Sequence, residues 1–150
     1  MDDYNVANEW LKFAQRDYDI ALHLSKTFFP LPTENICYNC QQAIEKALKA
    51  TLIYLAGDYP KTHDIRELHQ LCKESGVDFG LVPSITRTLT RYATKSRYPD
   101  DVYDFTDKDA EIAIEYAEQL LNNARESLNK AQKEAEQAEA SKEEVVEEAQ

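Results

Sequence analysis

A chain of 150 residues with 28 Asp and Glu against 17 Lys and Arg carries a formal charge of −11 at pH 7. That balance excludes indiscriminate binding to nucleic acid or to an anionic membrane surface, both of which need a surplus of basic side chains. Three Gly and five Pro are too few for the turns of an all-β chain.

No apolar run approaches the ~20 residues of a membrane span, and Met1-Asp2-Asp3-Tyr4 does not open a basic-then-apolar leader. A single cytoplasmic all-α domain is expected over residues 1–129, followed by an acidic, partly disordered tail over 130–150. Cys37, Cys40 and Cys72 are odd in number and sit inside helical patterns, so they read as reduced core thiols.

Apolar spacing near 100° per residue predicts five helices. The first runs from about Tyr4 to Lys26 with Trp10, Phe13, Ala14, Ala21 and Leu24 on one stripe, and Pro30 and Pro32 break the chain after it. The second runs from about Thr33 to Ala56. Its wide apolar arc of Ile36, Cys40, Ala43, Ile44, Ala47, Leu48 and Leu55 makes it the most buried. Gly57-Asp58-Tyr59-Pro60 is a turn, and Thr62 is the expected N-cap of a short helix through Ile65, Leu68 and Cys72.

Pro83 opens a fourth helix with Ile85, Leu89, Tyr92 and Ser96 on one face, and Pro99 ends it. Thr106 and Asp109 have capping-box spacing before a long last helix through Ala110, Ala113, Ile114, Ala117, Leu121, Ala124 and Leu128. Past Leu128 the stripe thins to Ala and charge, and a solvated helical extension that frays is expected. Short connections imply an antiparallel up-and-down bundle of four to five helices.

Asp17 is the first chemical anomaly, because it falls among Trp10, Ala14 and Ala21 on the apolar stripe. A carboxylate in such a place needs a cation or several donors, and the cations between Arg91 and Arg97 are its expected partners. Its role is either a structural ion pair or part of a site. The second anomaly is a basic island. Between Asp78 and Asp100 there is no acidic residue, while Arg87, Arg91, Lys95 and Arg97 all occur there, the first three on one helical stripe. On an acidic protein a phosphate or an acidic partner is expected to land there.

The second helix adds Gln42, Glu45, Lys46 and Lys49, in which Glu45 and Lys49 form an i, i+4 pair worth only ~0.3–0.5 kcal/mol. Thr62-His63-Asp64 stands at a helix start, where free N–H groups point outward. Cys37 and Cys40 make a lone CxxC without the second pair that zinc needs, no Gly-rich phosphate loop exists, and no nucleophile–His–acid spacing is present. No metal and no cofactor are expected.

Over about residues 5–128 the chain resembles the HEPN domain family (higher eukaryotes and prokaryotes nucleotide-binding). The resemblance rests on Trp10 with Ala14-Gln15-Arg16-Asp17 and Ala21, and on Gln41-Gln42-Ala43-Ile44-Glu45-Lys46-Ala47-Leu48-Lys49-Ala50. Thr62-His63-Asp64-Ile65 follows, and then Tyr92 leading into Arg97-Tyr98-Pro99-Asp100. It implies an α-bundle that often dimerises and that is often encoded beside a minimal nucleotidyltransferase, as in toxin–antitoxin pairs.

Many members are metal-independent ribonucleases with an Arg, a polar residue and a His near the start of the last long helix. Counted on from Arg97, the His positions hold Val102, Tyr103 and Asp104. The formal match of Arg16-Asp17 with His23 lies on the wrong helix. Ribonuclease activity is therefore not carried over. The resemblance implies instead a nucleotide or phosphate site of Lys46, Lys49, His63, Arg91, Arg97 and Tyr98, with Asp17 orienting a cation. Homodimerisation, a nucleotidyltransferase partner, and a nucleotide or RNA ligand are the interactions it implies. A degenerate ribonuclease using Arg97 and Tyr103 is the alternative. So is an oligomerising scaffold with Ile112, Tyr116 and Leu120 as its seam.

Overall fold

The computed structural model describes residues 2–95 and 104–149. Arg97, Tyr98, Tyr103 and the Pro99 stop lie outside the described residues, as does the side chain of Lys95. Five α-helices and no strand occur among the described residues: α1 Asp3–Thr27, α2 Thr33–Ala56, α3 Ile65–Glu74, α4 Pro83–Lys95 and α5 Asp107–Ala149. No described helix is long and apolar enough to cross a membrane.

Each boundary has a local cause. Asp2 caps α1 by accepting from the Asn5 N–H at 2.9 Å. Gly57, at φ +80°, closes α2 in the left-handed conformation that a side chain disfavours. The expected cap of α3 moves by two residues. Asp64, not Thr62, accepts from the Arg66 N–H, while the Thr62 hydroxyl accepts from the Asp64 N–H at 3.1 Å and holds that residue extended. The capping box at α5 forms in both directions. Asp109 N donates to Thr106 Oγ1 at 3.2 Å, and Thr106 N donates to Asp109 Oδ2 at 2.9 Å.

α2 is the central element, with fifteen buried residues. α1 packs antiparallel to it, since Tyr4 meets Tyr54 and Asp17 meets Lys46. α1 is also antiparallel to α5, where Tyr4 donates to Asn129 and Arg125 to Gln15. α2 and α5, however, run parallel: Thr33 donates to the Phe105 carbonyl at one end and Tyr54 to Gln132 at the other. The short pair α3 and α4 makes this possible, because it carries the chain back to the level where α2 began. Tyr92 on α4 donates to Asp109 at 2.8 Å and fixes that return.

The stripe of α1 is narrower than expected. Ala7, Leu11, Ala14 and Ala21 are buried, whereas Phe13 is 48 % exposed on the flank of the helix. Leu120, expected at an outer seam of α5, is buried inside the chain's own core. The extension expected to fray is helix through Ala149. Its Glu, Ala, Lys and Gln residues are good helix formers with i, i+4 contacts such as Gln132 to Glu136. Residues 133–149 are exposed throughout.

Burial pushes the Cys40 and Cys72 thiols up to about 12, and raises Cys37 as well. All three are fully buried, so none offers a thiolate at neutral pH.

Candidate functional site

Three α2 residues one helical repeat apart carry polar groups into the apolar interior. Gln41, Glu45 and Lys49 are 0 %, 4 % and 7 % exposed. Their i, i+4 spacing lets them bond along the helix. Gln41 donates to Glu45 Oε2 at 3.1 Å, and Lys49 Nζ donates to Glu45 Oε1 at 2.7 Å. A buried carboxylate demands this kind of compensation. Gln42 donates to Gln41 at 2.7 Å and extends the chain of bonds to the surface.

The 57–64 connection folds back along α2 and completes the cluster. His63 places Nδ1 2.9 Å from Glu45 Oε1 while its side chain stays 74 % exposed. The carboxylate thereby orients the imidazole, and Nε2 remains free to face solvent. Tyr59 of the same connection lies beneath the Lys49 ammonium, 5.3 Å from the ring centroid. Its ring meets Trp10 edge-on at 5.0 Å.

One residue along α2 from Glu45, Lys46 reaches across to α1 and donates to Asp17 Oδ2 at 2.6 Å. The partner of Asp17 is thus Lys46, not the cations near Arg91. α1 and α2 lie side by side, while α4 contacts α2 and α3. Lys46 also borders a groove of about 390 Å³ shared with Val6, Glu9, Trp10 and Phe13. Trp10, Phe13 and Lys46 thus form an aromatic cleft with a cation on its rim.

The structure therefore gathers Asp17, Lys46, Lys49 and His63 of the expected set around one stretch of α2. Lys49, expected to grip phosphate, is instead turned inward and neutralises Glu45. Arg91 is exposed on α4. Its neighbour Thr90 accepts from the Ile65 N–H at 3.0 Å, two residues past His63, which brings that part of α4 to the start of α3. Arg97 and Tyr98 lie outside the described residues.

The i, i+4 spacing of Glu45 and Lys49 alone does not tell a solvated pair from a buried one, so the central role of Glu45 is not evident from it. The pattern Gln41, Glu45, Lys49 on the same side as Cys37, Leu48 and Leu52 contained the signal. The groove is hidden in the sequence because Trp10 and Phe13 share the apolar stripe of α1 with the buried Ala14 and Ala21. Among the described residues no three His, Cys, Asp or Glu side chains converge as metal ligands do.

The model of the HEPN domain matches residues 7–127. The chain belongs to the HEPN domain family. Two solved structures share the fold. One is TT1696 from Thermus thermophilus, at 24 % identity and TM-score 0.62, covering 80 % of this chain and 96 % of that one. The other is ST0689, an archaeal HEPN homologue, at 27 % identity and TM-score 0.59, covering 81 % of this chain and 97 % of that one. No curated protein matches. The HEPN match covers all of α1 to α4 beyond the first few residues of α1, together with most of the packed part of α5. The Gln41–Lys49 cluster, the Asp17–Lys46 pair and His63 all lie within it. The last helix of this HEPN chain contains no His at all.

Proposed function

We propose that this HEPN protein is a non-catalytic, nucleotide-binding module that takes a base in the Trp10–Phe13 cleft and a phosphate beside Lys46 and His63. The observation that carries this reading is the position of Lys46, which lines a ligand-sized aromatic groove and is held at its rim by Asp17. A volume of about 390 Å³ falls in the range of small-molecule sites. Aromatic faces stack on any base, and the Glu9 carboxylate on the same rim accepts from an exocyclic amino group. His63, held by Glu45 one residue along α2 from Lys46, supplies a further donor for the phosphates.

Without a His on its last helix, the chain lacks the imidazole that ribonucleases of the family carry there as general acid–base group. A binding role is therefore favoured over RNA cleavage. In the toxin–antitoxin-like setting, the chain acts as a homodimer beside a minimal nucleotidyltransferase that uses the same nucleotide.

Trp10 is the single tryptophan, so its fluorescence reports directly on the cleft. Titration with ATP and GTP should quench it saturably, and Lys46→Gln should weaken the response about tenfold, a loss on the order of 1.4 kcal/mol. Unchanged fluorescence and no calorimetric heat with either nucleotide would exclude the site.

A further inference from the structure

On the opposite flank of α1, between α1 and α5, lies a second groove of about 470 Å³ lined by Lys12, Gln15, Arg16, Asp19 and Arg125 among others. Three of these side chains are positive and one is negative, on a chain whose total is −11. We propose that this groove is a binding site for a polyphosphate chain, separate from the aromatic cleft.

The hydrogen bonding keeps its charge available. Arg125, half-buried on α5, donates through Nη2 to the neutral amide oxygen of Gln15 rather than to a carboxylate. Gln15 in turn donates to Asp19 Oδ1 at 2.7 Å. The amide stands between acid and guanidinium, so Asp19 is held without neutralising Arg125. The Arg16 guanidinium lies over the Phe13 ring at 5.2 Å, which restrains the group without cancelling its charge.

Among the described residues, none of Lys12, Arg16 and Arg125 has a carboxylate within ion-pair distance, unlike Lys46 and Lys49. Two guanidiniums and one ammonium, none of them neutralised by a carboxylate, in an open groove match the successive oxyanions of a di- or triphosphate. The groove has no aromatic lining, so it reads the chain of phosphates and not a base.

The test is calorimetry of the full chain with sodium tripolyphosphate at low and high salt. Wild type and Lys46→Gln should bind alike, with affinity falling as salt rises. Arg16→Gln with Arg125→Gln should lose at least tenfold. Because Arg125 also bridges α1 and α5, the pair Lys12→Gln with Arg16→Gln, both on the exposed face of α1, is measured beside it and should also lose binding. Silence with wild type, or affinity unchanged in both double variants, overturns the assignment. Failure of the aromatic cleft is read separately, from Trp10 fluorescence.

Discussion

Lys46 and Asp17 join α2 to α1 through a 2.6 Å ion pair whose side chains are 29 % and 18 % exposed. Such a partly shielded pair sits between the surface case, worth ~0–1 kcal/mol, and the buried one. Asp17→Asn should therefore cost about 1 kcal/mol in urea unfolding. A double-mutant cycle with Lys46→Met should return a coupling of about 1 kcal/mol. Additive single losses would show that the pair contributes nothing beyond its two stems.

Glu45 behaves differently because it is buried and holds two α2 partners. Glu45→Ala leaves the Lys49 ammonium buried without its counter-ion, and a loss of about 3 kcal/mol is expected. Lys49→Met introduced into that variant should recover a large part of the loss, since it removes the orphaned charge. Denaturant melts of the three proteins decide the matter.

Thr106→Ala deletes one half of the reciprocal cap on α5 and should lower stability by about 1 kcal/mol. The change should be visible as a shift in urea midpoint at constant slope. A wild-type midpoint would mean that the Tyr92–Asp109 bond alone holds the start of the helix.

The three cysteines should resist modification. A disulfide reagent at pH 8 should label none of them in folded protein and all three in urea, because burial holds Cys40 and Cys72 near 12. Rapid labelling of one thiol under native conditions would contradict the burial of that residue.

Asp78 supplies a pH dependence. The Gly80 backbone N–H, the nearby Lys73 and the His69 ring hold its carboxyl below the usual carboxylate value. A depressed folded-state value contributes stability that is present above the unfolded value and lost as pH falls through the folded one. Acid unfolding below about pH 4 should thus be shallower in Asp78→Asn than in wild type.

The helices were legible because their punctuation is local. Pro32 before Thr33 and Gly57 after Ala56 bound α2 at the residues expected, and Thr106 with Asp109 opens α5 as its spacing implies. Orientation was not legible in the same way. Whether α5 returns parallel or antiparallel to α2 depends on how α3 and α4 dock, through bonds such as Ile65 to Thr90 that join residues 25 apart. Polar burial was half legible. Asp17 stood out against an apolar stripe, while Glu45 hid among polar neighbours that turn out to be its partners. The large aromatics of α1 misled, since Ala7, Ala14 and Ala21 are the fully buried residues of the stripe and Phe13 stays outside.

The packing of α2 against α5, the last helix in the chain, also sets the order of assembly during synthesis. The most apolar helix emerges second, yet the surface that covers it, from Ala110 to Leu128, is made last. Until those residues leave the ribosome, α2 has only α1, α3 and α4 to shelter it. The nascent chain must therefore carry an open seam for much of its elongation, a window in which chaperone capture competes with folding.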